Sequence, residues 1–170
     1  LDHDISPLAA LRPVIVDESD NGFDVFPRAR DLGYAGVSSK QCKGIYKSII
    51  NATRCANWNA AGGRYFISGE DLTCQAGLCV QQDLALVSLL GITHVERNGH
   101  HYARGMAAAP AAEQREFAAA HADLYELRDG IACLKISNGA ISLNSLDKPG
   151  YAHAADPDWS TMAEMTPPRN

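Results

Sequence analysis

The sequence predicts an α/β fold built on a parallel sheet, and three observations carry that expectation. Short runs rich in β-branched and aromatic residues alternate with stretches of helical spacing along most of the 170 residues, which is the pattern of successive βαβ units. The chain is 46% hydrophobic and 21% charged, so it is soluble in character and has enough apolar content for a sizeable core. Each of the first four β-rich runs is also followed at once by charged residues.

The elements follow in order. "PVIVDE" (13–18) reads as a buried strand. "GFDVFPRARDLG" (22–33) spaces Phe23, Phe26, Ala29 or Arg30, and Leu32 as one helical face and stops at Gly33; Pro27 fits if it lies in the first turn. "YAGVSS" (34–39) is a second strand. The stretch 43–58 is a second helix with Ile45, Ile49 and Ile50 on one face; Lys43 and Lys47, four residues apart and so sharing a face, are expected to be solvated. "RYFIS" (64–68) makes a third strand. The stretch 72–91 is the longest helical pattern and "ITHVE" (92–96) a fourth strand. The Ala-rich stretch 110–127 is a helix, or a helix followed by an extended segment. "IACLKISNGAISL" (131–143) holds two alternating runs around Asn138 and Gly139, a strong hairpin signal. An irregular tail closes the chain.

Charge excludes some functions. The formal net charge is −5, and none of the 15 Lys and Arg residues form a run, so neither a nucleic-acid nor an anionic lipid surface is expected. No apolar stretch approaches the roughly 18 to 20 residues of a membrane helix. The N-terminus "LDHDIS" lacks the basic and apolar regions of a signal peptide, so a cytoplasmic location is expected. Five cysteines, an odd number without a CxxC pair, are expected to be reduced and mostly buried.

The charged strand ends carry the chemistry. The first run ends in Asp17 and Glu18, the second in Lys40, the third in Glu70 and Asp71, and the fourth in Glu96 and Arg97, with His100 and His101 close behind. In parallel barrels catalytic groups sit at the C-terminal ends of strands. Adjacent carboxylates repel unless a positive charge is near, and a magnesium-class cation wants such hard oxygen ligands. A lysine beside that cation has a depressed pKa and can act as a base. Plainer roles compete: Asp17 and Glu18 as a helix cap with a solvated neighbour, Lys40 and the histidine pair as loop residues, and Glu70 and Asp71 as helix-capping acids.

The segments "PVIVDES", "GVSSKQCKG", "YFISGEDLTCQAG" and "NGAISLNSLDKPGYA", in that order, resemble the C-terminal part of the enolase superfamily in its mandelate racemase and muconate lactonizing enzyme branch. The resemblance covers most of the chain and implies a partial (β/α)8 barrel, about its fifth to eighth strands. It implies Asp17, with Glu18 beside it, as a magnesium ligand, and Lys40 as the acid/base, with Lys43 the second lysine of a K-x-x-K-G-like segment. Glu70 stands where an acidic residue often follows the seventh strand. The "NGHHYARG" segment maps onto nothing in that pattern, and the glycine pair usual after the second lysine is here Gly44 and Ile45.

The resulting expectation is magnesium-dependent abstraction of the proton α to a carboxylate, as a racemase or epimerase, a sugar-acid dehydratase or a cycloisomerase. Lys40, Glu70 and His100 are the catalytic candidates, Asp17 and Glu18 the metal ligands, and Lys43, Asp71 and Arg97 the substrate-binding residues. Residues 1–127 are expected to form the barrel half, and 128–170 a hairpin and tail associated with a capping domain. Two further acidic ligands of the family, on its third and fourth strands, have no counterpart here. The chain is therefore expected to be a fragment, or to be completed by a homo-oligomer, since half a barrel exposes two edges and an inner apolar face. The alternatives are a non-catalytic half-barrel scaffold or oligomeric interaction module, and an open doubly wound sheet whose acidic ends cap helices.

Overall fold

The computed structural model describes residues 1–70, 76–97 and 99–164. The chain has an α/β fold that divides into two compact units, 1–72 with 83–98, and 73–82 with 99–170.

The first unit holds a four-stranded parallel sheet. Its strands are β1 (Ile15–Val16), β2 (Gly36–Ser39), β3 (Phe66–Glu70) and β4 (Val95–Glu96), adjacent in the order they occur in the chain. Helix α1 (Ser6–Ala9) precedes β1, α2 (Val25–Asp31) joins β1 to β2, and α3 (Ile45–Ala60) joins β2 to β3. Helix α4 (Leu78–Leu89) lies between β3 and β4 in the chain. Of the long helical pattern expected over 72–91, residues 72–75 lie outside the described residues.

The strands are shorter than their β-rich runs. Only Ile15 and Val16 of 13–18 pair with β2, because the chain bends at Asp17, whose carbonyl accepts the Asp20 N–H at 2.8 Å. In α2 Pro27 occupies the first turn, where no intrahelical donor is lost. Gly33 then ends the segment with φ +97°, and a Cβ there would lie 2.8 Å from the Ser6 nitrogen.

Alternation along the strands separates two faces. Val16, Val37 and Ile67 join Val25, Phe26, Ala29 and Cys55 in the core between sheet and helices, where Phe26 meets Trp58 edge-on at 5.1 Å between centroids. The other face runs from Ile15, Gly36 and Phe66 through Ser38 and Ser68 to the charged strand ends. The expected inner face is therefore only partly apolar. Gly36 allows close packing there, since a Cβ would fall 2.5 Å from the Phe66 carbonyl oxygen.

Helix α3 overturns its expected orientation. Its buried residues are Lys47, Ser48, Asn51 and Cys55, whereas Ile49 and Ile50 are exposed. The reason lies in what it packs on: the bent 17–23 segment offers main-chain carbonyls, and these need donors rather than methyl groups. Lys43 and Lys47 are not solvated either, since both are drawn into that contact. The four described cysteines are free, but Cys42 and Cys79 are exposed and only Cys55 of them is buried, against the expectation that they are mostly buried. Cys74 lies outside the described residues. Burial pushes the Cys55 thiol up to about 11.

In the second unit, helix α5 (Ala111–Ala120) leads into strand β5 (Tyr125–Arg128), which pairs antiparallel with β6 (Ile131–Leu134). The turn between them is Asp129 and Gly130, both at positive φ, as the type I′ hairpin requires. Asn138 and Gly139 make the same kind of turn between β7 (Ile136–Ser137) and β8 (Ala140–Ile141). The expected hairpin is present but is the shorter of two. Phe117, Leu124 and Ala132 are fully buried in this unit.

Below β5, the Asp123 carboxylate accepts hydrogen bonds from Ser142 Oγ at 2.8 Å and the Ser145 N–H at 3.1 Å. Burial alone would raise its pKa, but these hydrogen bonds outweigh it and hold the carboxyl at about 2. The buried His121 ring places Nδ1 3.1 Å from Ser145 Oγ, and burial holds its pKa below the ordinary histidine value.

Two outcomes are expected from these packing relations. Phe26→Ala removes a fully buried ring and should cost the first unit about 3 to 5 kcal/mol in denaturant unfolding. Asp123 titrates lower in the folded chain than in the unfolded one, so its stabilisation is complete above pH 3.8 and is lost as pH falls through about 2. Asp123→Asn should therefore lower the urea midpoint at neutral pH and converge with the unaltered chain near the lower value.

Candidate active site

Strand register assembles the charged group. Val16 pairs with Val37 and Ser39 with Gly69, so Asp17, one residue beyond β1, comes beside Ser38, and Lys40, one residue beyond β2, comes beside Glu70. Because side chains two apart share a face, Ser38 and Lys40 project together. Lys40 Nζ lies 2.9 Å from an Asp17 carboxylate oxygen and 2.8 Å from Glu70 Oε2. Its side chain is only 4% exposed, so this ammonium sits between two carboxylates with little access to water.

Asp17 is the most heavily contacted member. Ser38 Oγ donates to Oδ1, and Lys43 Nζ donates to the same oxygen at 2.9 Å and to the Asp17 main-chain carbonyl at 2.8 Å. Burial alone would raise the Asp17 pKa; the Ser38, Lys43 and Lys40 hydrogen bonds outweigh it and hold the carboxyl well below the usual range. For Lys40, burial alone would lower the pKa, and the bonds to Glu70 and Asp17 instead raise it above the ordinary lysine value. As it stands, Lys40 is an ammonium, the opposite of the depressed pKa expected beside a bound cation.

Three of the expected site residues, Asp17, Lys40 and Glu70, thus meet directly, and Lys43 joins them through Asp17. Glu18 stands at the rim, 84% exposed, with Oε1 3.4 Å from Lys40 Nζ. Arg97 directly follows β4 and is half-buried. Asp71 lies outside the described residues. His100 belongs to the second unit, on the 3-10 turn Gly99–His101, and its side chain lies outside what is described.

Two participants were not singled out as site residues. Asp20 is buried after the bend, with Oδ2 3.1 Å from Lys47 Nζ and 4.0 Å from Lys43 Nζ. No spacing in the sequence marks them, because Lys43 and Lys47 read as solvated until the bend at Asp17 draws them inward. In contrast, the Ser39 hydroxyl, which donates to Ser48 Oγ at 2.9 Å, points to the helix side of β2.

The carboxylates suit a hard divalent cation in kind, since magnesium takes oxygen ligands. They do not suit it in number. Among the described residues no group of three or more acidic, His or Cys side chains is gathered as a metal site, and both Asp17 oxygens already meet ammonium groups. No protein-family model, curated protein or solved structure matches the chain. Among the described residues no helix is long and apolar enough to cross a membrane.

Removing the central cation leaves two carboxylates facing each other. Lys40→Met should cost about 3 kcal/mol in urea unfolding at neutral pH, as for other broken buried ion pairs. Adding Glu70→Gln should recover part of that loss, since one carboxylate no longer faces the other.

Proposed function

We propose that the four-stranded sheet is half of a (β/α)8 barrel of the enolase-superfamily kind, and that its charged edge is half of an active site that removes the proton α to a carboxylate. The observation that carries this reading is the meeting of Asp17, Lys40 and Glu70 at the C-terminal ends of three successive parallel strands. That is the end of a parallel barrel on which catalytic groups are carried. The substrate is a small carboxylate, and the outcome is racemisation or epimerisation, dehydration or cycloisomerisation, which share this first step.

Within that reading each residue has a task. Asp17 would hold the magnesium ion together with carboxylates from the completing half, and Glu18 stands next to it at the rim. The ion, when bound, would supply a positive charge to stabilise the negative charge that develops on the substrate carboxylate. Lys40 is the proton-transfer group. It stays an ammonium while both Asp17 and Glu70 face it, so it would act as a base only once the Asp17 carboxylate turns away and the ammonium gives up its proton to solvent, leaving the amine to accept the substrate proton. Glu70 keeps the Lys40 stem aimed along the sheet edge. Lys43 holds Asp17 and offers positive charge to the substrate carboxylate, a task for which Arg97 is a further candidate, while Asp71 is a candidate acceptor for substrate hydroxyls and His100 a further catalytic candidate.

One observation favours a second reading. Lys40 and Lys43 already have carboxylate partners, as a non-catalytic half-barrel scaffold would also require. The two readings part on one measurement, made on the assembled barrel with magnesium and a panel of 2-hydroxy and sugar acids in deuterated solvent. The catalytic reading expects incorporation of solvent deuterium at the α-carbon, abolished by Lys40→Ala while substrate binding persists. Exchange at an unchanged rate in Lys40→Ala would move the base elsewhere, and the absence of exchange with every acid would leave the scaffold.

A further inference from the structure

The 17–23 segment that carries Asp17 and Glu18 is held by a row of cations. Lys43 Nζ donates to the Asp17 carbonyl at 2.8 Å, Lys47 Nζ to the Asp20 carbonyl, and Arg54 Nη1 to the Phe23 carbonyl at 2.6 Å. The three carbonyls are three residues apart; Lys47 and Arg54 reach theirs from α3 and Lys43 from the 3-10 turn Gln41–Lys43 just before it, so the segment is held at three points. Lys47 is held most fully: its ammonium also lies 3.1 Å from Asp20 Oδ2. The Asp20 side chain is 1% exposed, and its carboxylate faces the Lys47 and Lys43 ammonium groups.

Stability alone does not call for this pair. Taking an aspartate and a lysine out of water is costly, and an apolar pair of similar volume commonly stabilises as well or better. What the ion pair adds is direction. The Asp20 N–H donates to the Asp17 carbonyl at 2.8 Å, and that carbonyl also receives Lys43. Lys47, Asp20, Asp17 and Lys43 therefore close a ring, with Lys43 on the 3-10 turn and Lys47 in the first turn of α3.

We propose that the buried Asp20 and Lys47 pair is a positioning device that sets where the Asp17 carboxylate meets Lys40. The proposal rests on the reading of Asp17 and Lys40 as active-site residues, and Asp20 and Lys47 touch neither substrate nor cation themselves. Supporting groups one layer behind a site commonly change its affinity tenfold or more when they are removed.

The test is lysine-selective nitrogen NMR of the 170-residue chain, reading the Lys40 ammonium resonance. The double variant Asp20→Asn with Lys47→Met removes both buried charges at once and leaves no unpaired one. A displaced or solvent-broadened Lys40 resonance in that variant is the expected result. A Lys40 resonance with unchanged position and exchange rate overturns the proposal. Should the double variant not fold, Lys47→Arg keeps the charge but exchanges a compact ammonium for a planar fork; there too a displaced Lys40 resonance supports positioning and an unchanged one refutes it. Absence of solvent-deuterium exchange in the assembled barrel would remove the catalytic reading of the site, while the Lys40 resonance would still decide the role of Asp20 and Lys47.

Discussion

Parallel pairing is the constraint from which the rest of the first unit follows. When neighbouring strands run the same way, their C-terminal ends fall along one edge, and residues distant in sequence arrive side by side. Asp17, Lys40 and Glu70 are separated by more than twenty residues at each step, yet two registers bring them within hydrogen-bond distance. An antiparallel arrangement would alternate the ends and disperse the same three charges. The group is thus a property of topology as much as of composition.

The same edge explains why helix α3 has a polar buried face. A strand that stops after two residues leaves a bent segment whose main-chain carbonyls have no ladder partner, and unpaired buried carbonyls are costly. Cations on a helix answer that need from a distance that short polar side chains do not span. Lys43 and Lys47 accordingly lie against the 17–23 segment while Ile49 and Ile50 face outward.

Much of this was legible in the residues. The βα alternation marks the parallel sheet because β-branched runs and helical spacing are local properties. The charged residue after each run marks the edge at which charges gather, and Pro27 and Gly33 punctuate their helix as their backbone chemistry demands. The face of α3 was not legible. Ile45, Ile49 and Ile50 make a persuasive apolar stripe, and only the bend at Asp17, a tertiary fact, turns the lysines inward. Nor did the longer hairpin stand out: Asp129 and Gly130 carry as strong a turn signal as Asn138 and Gly139, but the Ala-rich helix before them masks where the strand begins. As for the site, its members could be read from strand ends, whereas the protonation of Lys40 depends on distances to two carboxylates that no spacing in the sequence encodes.

The balance of charge at the sheet edge also bears on how such a chain can change over generations. Three lysines, Lys40, Lys43 and Lys47, face three carboxylates, Asp17, Asp20 and Glu70. Loss of any one strands a partner in poorly hydrated surroundings, so a single replacement is disfavoured where a compensated pair of replacements is not. Substitutions at these positions should be strongly epistatic, with lineages passing between charge patterns by paired exchange or not at all. The rim residue Glu18, open to water, is under no such coupling and is where variation in this group can begin.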